Sequence, residues 1–262
     1  MSSQWRLLDT AVQKAPYNMA LEKILLSSCI KGISRNTLHF LEFCPCVLLG
    51  YSQSVEDEAN EEFCMENNIE INRRISGGGC IYMDEGTLGW EIIAKKNTPG
   101  IPGSLEDMYR KLCGSLVAAL SKLGIHAQYR PQNDVEINGR KISGTGGTEL
   151  DDSFIFHGTV LVDYNADIMV KALKIPAGKN RYSTITDFRK RTVSMKELLG
   201  YAPSMDEVKR CLARAFADTL DIEFAERGLY PEEIKDLGEK LPLFSSDDWI
   251  YRRQGSFTEE LA

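Results

Sequence analysis

The alternation of apolar and polar residues divides the chain into a strand-rich first part and a helical last part. Short apolar runs and period-two alternation predict strands at 5–9, 37–43, 46–50, 69–75, 88–94 and 154–162. Apolar residues at helical spacing predict helices at 21–28, 56–68, 104–123, 194–199, 204–220 and 231–241. Because no regular βαβ order appears, we expect an α+β fold with a mixed or antiparallel β-sheet flanked by helices.

Two connections can be predicted from their turn residues. Asn138-Gly139 lies between alternating segments and predicts a tight hairpin between 135–137 and 140–142. The run at 81–83 should pair with 88–94, to which a short connection joins it.

Composition and charge exclude several classes of protein. With 43% hydrophobic and 26% charged residues, the 262-residue chain is typical of a globular protein. A net charge of −7 differs from the basic balance of a general nucleic-acid binder. No apolar run reaches membrane-spanning length, and the first residues do not form a signal peptide. We therefore expect a cytoplasmic protein without nucleic-acid or membrane partners.

The spacing of the cysteines and histidines does not suggest a metal-binding site. The seven cysteines include no CxxC pair, so we interpret them as reduced thiols. The three histidines, His39, His126 and His157, are far apart in sequence and do not suggest a zinc site.

A run of three glycines, Gly77-Gly78-Gly79, follows the predicted strand at 69–75. Such a turn can direct successive N–H groups at an anion, and Arg73 and Arg74 before it offer donors suited to phosphate or carboxylate. A flexible surface turn with solvated arginines is the alternative.

Three further segments carry candidate chemistry. Lys141 follows the predicted hairpin turn on a rigid strand and precedes another glycine-rich turn, although most lysines on edge strands simply face solvent. His157 lies among apolar residues, where a histidine is often a hydrogen-bonded core group. Basic residues at 179–181 and 189–191 are equally consistent with ligand contact and with a solvated loop.

Taken together, four segments resemble lipoate–protein ligases of the biotin/lipoate ligase superfamily in order and spacing. They are Gly50-Tyr51-Ser52-Gln53, the stretch 73–84, Asn133-Asp134 with 139–144, and His157-Gly158-Thr159. The resemblance spans about 5–190. It implies a catalytic ligase domain at 1–190 and a helical C-terminal extension at 191–262 packed on it, as in short, bipartite ligases.

The resemblance implies a two-step reaction. Lipoate and ATP, with Mg²⁺, form lipoyl-AMP, and the lipoyl group then passes to a lysine of a lipoyl-domain protein. Lys141 would bind the mixed anhydride, and no metal ligand is assigned. The residues implied to bind nucleotide or substrate are Arg74, Ser76, Gly77, Gly78, Gly79, Cys80, Ile81, Tyr82, Asn133, Asp134, Gly144, His157 and Thr159.

Several readings compete. An octanoyltransferase of the same superfamily would need a cysteine nucleophile, but one branch's Pro-Cys-Gly turn reads Pro176-Ala177-Gly178 here. A non-catalytic binding subunit is a second alternative, because Tyr51, Met83 and Gly89-Trp90 depart from many relatives. Biotin ligation is a weaker variant, since the glycine loop matches the lipoate branch better.

Two expectations concern partners and the acyl site. Longer ligases carry an additional C-terminal domain that this sequence lacks, so we expect a separate accessory protein to complete adenylation. The acceptor would be a 2-oxoacid dehydrogenase lipoyl domain, a glycine-cleavage H-protein or another lipoate-binding protein. The apolar tail should lie near Phe40, Ile75, Ile92 and Val160.

Overall fold

The computed structural model describes residues 3–174 and 189–252. The strands of this part are β1 (Ser3–Gln13), β2 (Thr37–Phe43), β3 (Cys46–Leu49), β4 (Glu70–Arg73), β5 (Ile81–Met83), β6 (Thr87–Lys95), β7 (Gln128–Arg130), β8 (Asp134–Ile137), β9 (Arg140–Leu150), β10 (Ser153–Leu161) and β11 (Ile222–Glu226). Its helices are α1 (Ala15–Ile30), α2 (Val55–Glu58), α3 (Glu61–Glu66), α4 (Leu105–Lys122), α5 (Ala166–Ala172), α6 (Met195–Leu199), α7 (Met205–Leu220), α8 (Pro231–Phe244) and α9 (Asp247–Ile250).

Within the described ranges, eight strands form one mixed sheet in the order β11-β1-β2-β6-β10-β9-β8-β7. The β1 strand is parallel to both of its neighbours, and β6, β10, β9 and β8 are antiparallel to theirs. A small sheet, β4-β3-β5, lies apart from it. The predicted α+β class, with a mixed sheet flanked by helices, is confirmed.

Alternation along the strands sends side chains to two hydrophobic cores. Helices α4 and α7 bury Leu112, Leu116 and Phe216 against one face of the large sheet. Helix α1 covers the other face, and α8 packs on α1. Because α1 lies between the sheet and α8, it is buried around most of its circumference. The site described below opens on the α1 face.

The predicted pairing of 81–83 with 88–94 is wrong. The β5 strand pairs with β3, while β6 pairs with β2 and β10. The turn between β5 and β6 is set by Asp84, whose carboxylate accepts hydrogen bonds from the backbone N–H groups of Gly86 and Asn165. These tertiary contacts direct β6 into the other sheet.

The sequence pattern also missed a strand in the C-terminal part. The segment Ile222–Glu226 forms β11 and pairs in parallel with β1. Its charged residues face outward on an edge strand, so it lacks the long apolar run that predicts a buried strand. The three predicted C-terminal helices are confirmed as α6, α7 and α8. No helix in 3–174 or 189–252 has the length and hydropathy needed to cross a membrane.

Candidate active site

A cavity of about 800 Å³ opens between the glycine run, helix α1 and the strands β6, β9 and β10. Ser76 is the one predicted site residue that does not line it; Ser76 is fully buried behind the loop. The predicted residues that the fold brings together here are Arg74, Gly77, Gly78, Gly79, Cys80, Ile81, Tyr82, Asn133, Asp134, Lys141, Gly144, His157 and Thr159.

Arg74 shapes the glycine loop. Its guanidinium donates hydrogen bonds to the main-chain oxygens of Leu48 (2.9 Å), Gly77 (3.1 Å) and Gly79 (2.9 Å). The three glycines themselves are exposed toward the cavity. A buried arginine therefore holds an open, side-chain-free loop in one conformation.

Arg73 does not face the cavity. It is fully buried and donates to carbonyl oxygens on both sides of the loop, including Tyr51 (2.8 Å) and Ile250 (2.7 Å). Trp249 returns a hydrogen bond from its indole N–H to the Arg73 carbonyl at 3.1 Å. The expectation that both arginines offer donors to a ligand is therefore wrong for Arg73, which joins the loop to α9.

Lys141 occupies a tightly held position at the start of β9. The hairpin turn before it has positive φ at Asn138 (51°) and Gly139 (77°), as a two-residue turn of this kind requires. On the other side of the strand, the Lys141 backbone N–H donates a hydrogen bond to Arg191 O (2.7 Å), and its carbonyl accepts one from Val193 N–H (2.9 Å). The predicted hairpin is confirmed, and the segment after 190 helps to fix the lysine.

The Lys141 side chain runs across Gly144 to an acidic partner. A Cβ atom at Gly144 would collide with the ammonium, so this path exists only because position 144 has no side chain. The Nζ atom lies 2.7 Å from Asp134 Oδ1, and the side chain remains 41% exposed. A fixed cation therefore faces the same cavity as the glycine loop.

The mouth of the cavity beside Lys141 is acidic and hydrogen bonded. Arg130 pairs with Asp134 and with Glu136, the latter at 3.0 Å. Asn133 donates from its side-chain amide to Thr145 O at 3.1 Å. These contacts order the carboxylates next to the lysine.

A row of polar side chains crosses the sheet and reaches the cavity at Glu22, Glu91 and His157. His39, Glu91 and His157 are register partners on β2, β6 and β10, and Glu22 of α1 lies over them. His39 Nδ1 lies 2.8 Å from Glu91 Oε1, and His157 Nδ1 lies 3.1 Å from Glu22 Oε1. Burial lowers the pKa of His39 to about 3, with the Arg6 charge adding to the effect. Burial raises the pKa of Glu91 well above its usual value, and the neighbouring Glu22 raises it further.

Sequence reasoning missed Glu22 and Glu91. Glu91 carried a signal, because it is a carboxylate inside an apolar strand, and such groups are rarely buried without a function or a partner. Glu22 is followed by Lys23 and carried a weaker one. Within the described ranges, Glu22, Glu91 and His157 are the one group of three metal-type side chains whose ligand atoms lie within 4.8 Å of one another. The hydrogen bonds Glu22–His157 and Glu91–His39 account for this arrangement without an ion.

The described cavity wall contains one cysteine, Cys80. Burial raises the pKa of its thiol to about 12, with Glu58 contributing. Cys113 lies nearby beneath the sheet, 3.7 Å from Thr145 Oγ1, and burial raises its thiol pKa to about 11. Neither thiol has the lowered pKa of a nucleophilic cysteine.

The apolar tail was predicted to lie near Phe40, Ile75, Ile92 and Val160, and none of these four residues lines the cavity itself. Phe40, Ile92 and Val160 belong to the core under α4 and α7, and Ile75 belongs to the core under α1. Because side chains alternate between faces, Leu41 and Leu161, the strand neighbours of Phe40 and Val160, line the cavity, and Trp90 reaches it from the core under α4 and α7. The apolar lining consists of Met19, Leu41, Phe43, Leu48, Ile81, Met83, Trp90, Tyr109 and Leu161.

The basic stretch is only partly described. Lys179, Asn180, Arg181 and Ala177 lie outside the described residues. Arg189 pairs with Asp167 at 3.0 Å, and Arg191 lines the cavity. One end of the stretch therefore reaches the site.

Comparison with known proteins agrees with this geometry. Residues 14–217 match the lipoyl protein ligase A/B catalytic domain. The chain belongs to this family.

Among relatives of the lipoyl protein ligase A/B family, octanoyltransferase LipM of Moorella thermoacetica is 27% identical over 95% of this chain and 98% of its own length. Lipoate-protein ligase LplJ of Bacillus subtilis is 28% identical over 92% of this chain and 71% of its own length. The relatives of this chain therefore include both a transferase and a ligase.

A solved structure of the family shares the whole fold. The bipartite lipoate protein ligase of Thermoplasma acidophilum, studied with its E2 lipoyl domain, superposes with a TM-score of 0.83 at 25% identity. The match covers 97% of this chain and 98% of that one.

Proposed function

We propose that this protein is a lipoate–protein ligase. It activates lipoate with ATP to lipoyl-AMP and pyrophosphate, and transfers the lipoyl group to a lysine of a lipoyl-domain protein. Support comes from the single cavity that joins an open glycine loop, a fixed lysine and an apolar lining.

Lys141 is suited to the activation step. Attack of a carboxylate on the α-phosphate brings two anions together, and negative charge accumulates on the phosphoryl oxygens. A positioned ammonium offsets that repulsion and stabilises the charge-rich transition state. The glycine loop allows phosphate oxygens to approach main-chain N–H groups closely. Lys141 and the glycine loop would therefore both stabilise the negative charge on the phosphoryl oxygens.

The protonated thiol of Cys80 favours a ligase over an octanoyltransferase. An acyl-enzyme intermediate requires a thiolate at neutral pH. The Cys80 thiol, with a pKa of about 12, stays protonated there. The sequence between 175 and 188 contains no cysteine either. Activation by ATP avoids the need for a thiol.

Mg²⁺ would accompany the triphosphate. The carboxylates of Asp134 and Glu136 line the cavity close to Lys141 and are hard oxygen ligands of the kind that Mg²⁺ prefers, and the ion would compete for them with Lys141 and Arg130. Asp134 and Glu136 would hold it together with phosphate oxygens, and bound Mg²⁺ would neutralise phosphate charge.

The proposed ligase would act together with an accessory protein. This chain spans 71% of the length of LplJ but nearly all of the Thermoplasma ligase, which is described as bipartite. We expect a second subunit to increase adenylation. The acceptor would be a 2-oxoacid dehydrogenase subunit, an H-protein or another lipoate-binding protein. The pairing of β11 with β1 and the hydrogen bond from Arg73 to Ile250 of α9 support the proposal that an extension after residue 190 packs on a ligase domain at 1–190.

ATP–pyrophosphate exchange with lipoate or octanoate, with and without candidate partners, tests the function. We expect acid-dependent exchange and a mass increase on a recombinant E2 lipoyl domain. Acyl transfer from an octanoyl carrier-protein thioester without ATP, and no exchange, would instead identify a transferase. No exchange and no transfer would indicate a non-catalytic binding subunit.

A further inference from the structure

The polar row across the sheet contains two histidines in opposite situations. His39 is fully buried, and both ring nitrogens have partners, Glu91 at 2.8 Å and Thr10 Oγ1 at 2.9 Å. His157 is partly exposed and lines the cavity. Only the second imidazole can meet a substrate.

One nitrogen of His157 is held by a carboxylate, and the residue lines the cavity. Nδ1 lies 3.1 Å from Glu22 Oε1, so a carboxylate that is 2% exposed fixes the ring. With Nδ1–H donated to Glu22, Nε2 carries the lone pair. The nearest partner of Nε2 is Ser76 Oγ at 3.4 Å, a long contact, and Gly146 beside it has no side chain.

His157 and Lys141 lie on either side of a short gap. Lys141 Nζ lies over Gly144, and His157 Nε2 lies beside Gly146, the next position on that face of β9. Two residues along a strand span about 7 Å. This gap accommodates a reacting carbonyl between the cation and the imidazole.

The transfer step requires a proton acceptor. A lysine with an ordinary pKa of about 10.4 is an ammonium at neutral pH and is not a nucleophile. Lys141 is itself a cation paired with Asp134 and cannot take that proton. A neutral imidazole supported by a carboxylate has this capacity, as in other carboxylate-oriented histidines.

We propose that His157 is the general base that deprotonates the acceptor lysine, and that Glu22 is its positioning residue. The inference rests on the proposed ligase function. The acceptor ammonium gives one proton to Nε2, and the nitrogen lone pair forms the N–C bond to the acyl carbonyl. The C–O bond to the phosphate breaks, AMP leaves with that electron pair, and the second nitrogen proton passes to solvent.

The groups around His157 favour this role. Glu22 on α1 stabilises the imidazolium that forms, while burial raises the pKa of Glu91 on β6 and so disfavours its charged form. The Arg74 guanidinium behind the loop interacts electrostatically with the Glu22 carboxyl group. The Glu22 Oε2 atom is buried without a hydrogen-bond partner, so it has spare capacity for a donor or a developing positive charge.

The test compares two amines on preformed lipoyl-adenylate in single turnovers. Nα-acetyl-lysine amide is protonated at neutral pH, whereas hydroxylamine is already neutral and needs no base. For His157→Gln we expect about a 100-fold loss of rate with the lysine amide and less than a twofold change with hydroxylamine. The variant's rate with the lysine amide should rise about tenfold per pH unit from pH 7 to 9, following the neutral amine.

Companion variants separate positioning from folding. Glu22→Gln should show a smaller loss with the same selectivity for the lysine amide, and the exposed histidine variant His126→Gln should behave like wild type. Hydroxylamine turnover by each variant shows that its site is intact.

Three results would overturn the assignment of His157. They are equal losses with both amines, an unchanged rate with the lysine amide, and a stoichiometric divalent metal that is bound by wild type and lost from His157→Gln. A wild-type protein that uses preformed adenylate but shows no ATP–pyrophosphate exchange would contradict the ligase and leave His157 as the base.

Discussion

The Nζ atom of Lys141 lies 2.7 Å from Asp134 Oδ1, on the neighbouring strand of one hairpin. The lysine reaches this carboxylate by crossing Gly144. Its charge is thereby fixed in place before a substrate enters, and a positioned charge stabilises a transition state without further reorganisation.

Replacing Lys141 with methionine should remove adenylation and keep the fold. We expect Lys141→Met to lower ATP–pyrophosphate exchange by about 100-fold or more, because the cation that offsets phosphate charge is lost. Lys235→Met, at a lysine that is 77% exposed, is the matched control and should exchange like wild type. If Lys141→Met exchanged pyrophosphate at near the wild-type rate, the role assigned to Lys141 in adenylation would be wrong.

A methyl group at Gly144 should act through Lys141. A Cβ atom there would collide with the lysine ammonium, so Gly144→Ala should displace the charge and lower adenylation by at least tenfold. Gly103→Ala, at an exposed glycine with open space around its Cβ position, is the control. If Gly144→Ala and Gly103→Ala show equal exchange rates, the path of Lys141 described above is wrong.

Local signals predicted the parts of the site that local geometry determines. Asn138-Gly139 defined the hairpin and thereby the position of Lys141. The glycine run and His157 were also found from sequence. Their grouping in one cavity came from the family resemblance, because residues so distant in sequence reveal no proximity by pattern alone.

Tertiary contacts determine the strand pairing and the cavity lining, which the sequence pattern could not predict. Strand β5 left the expected hairpin because Asp84 binds Asn165 on a distant segment. On β2 and β10 the lining residues Leu41 and Leu161 stand one residue away from Phe40 and Val160, since a central strand that is apolar on both faces gives no period-two signal. Arg73 and Arg74 are adjacent in sequence, yet only Arg74 reaches the cavity.

The C-terminal part should unfold together with the rest. Arg6 of β1 and Glu233 of α8 form a bidentate pair at 2.7 and 2.9 Å, with both side chains 1% exposed. Arg6→Met leaves a buried, uncompensated carboxylate and should lower the free energy of unfolding by about 3–5 kcal/mol. Arg110→Met, which breaks an exposed pair with Glu106, should cost about 1 kcal/mol or less.

Urea denaturation followed by tryptophan fluorescence and circular dichroism measures both variants. We expect one transition with coincident curves, because β11 belongs to the main sheet. Two separate transitions, with only the later one sensitive to Arg6→Met, would show that the C-terminal part folds independently.

The reactivity of Cys80 distinguishes the two enzyme classes most directly. Burial raises its thiol pKa to about 12, so at pH 8 only about one molecule in 10⁴ carries the thiolate. Iodoacetamide at pH 8 should therefore modify the partly exposed Cys211 long before Cys80, and the rate at Cys80 should rise about tenfold per pH unit. Peptide mass mapping after timed quenching measures both sites in one sample.

The variant Cys80→Ser should still lipoylate a lipoyl domain, because the thiol takes no part in adenylate chemistry. Rapid alkylation at Cys80, together with an octanoyl adduct on its peptide after incubation with an acyl carrier-protein thioester, would contradict the ligase, because only a transferase holds the acyl group on sulfur.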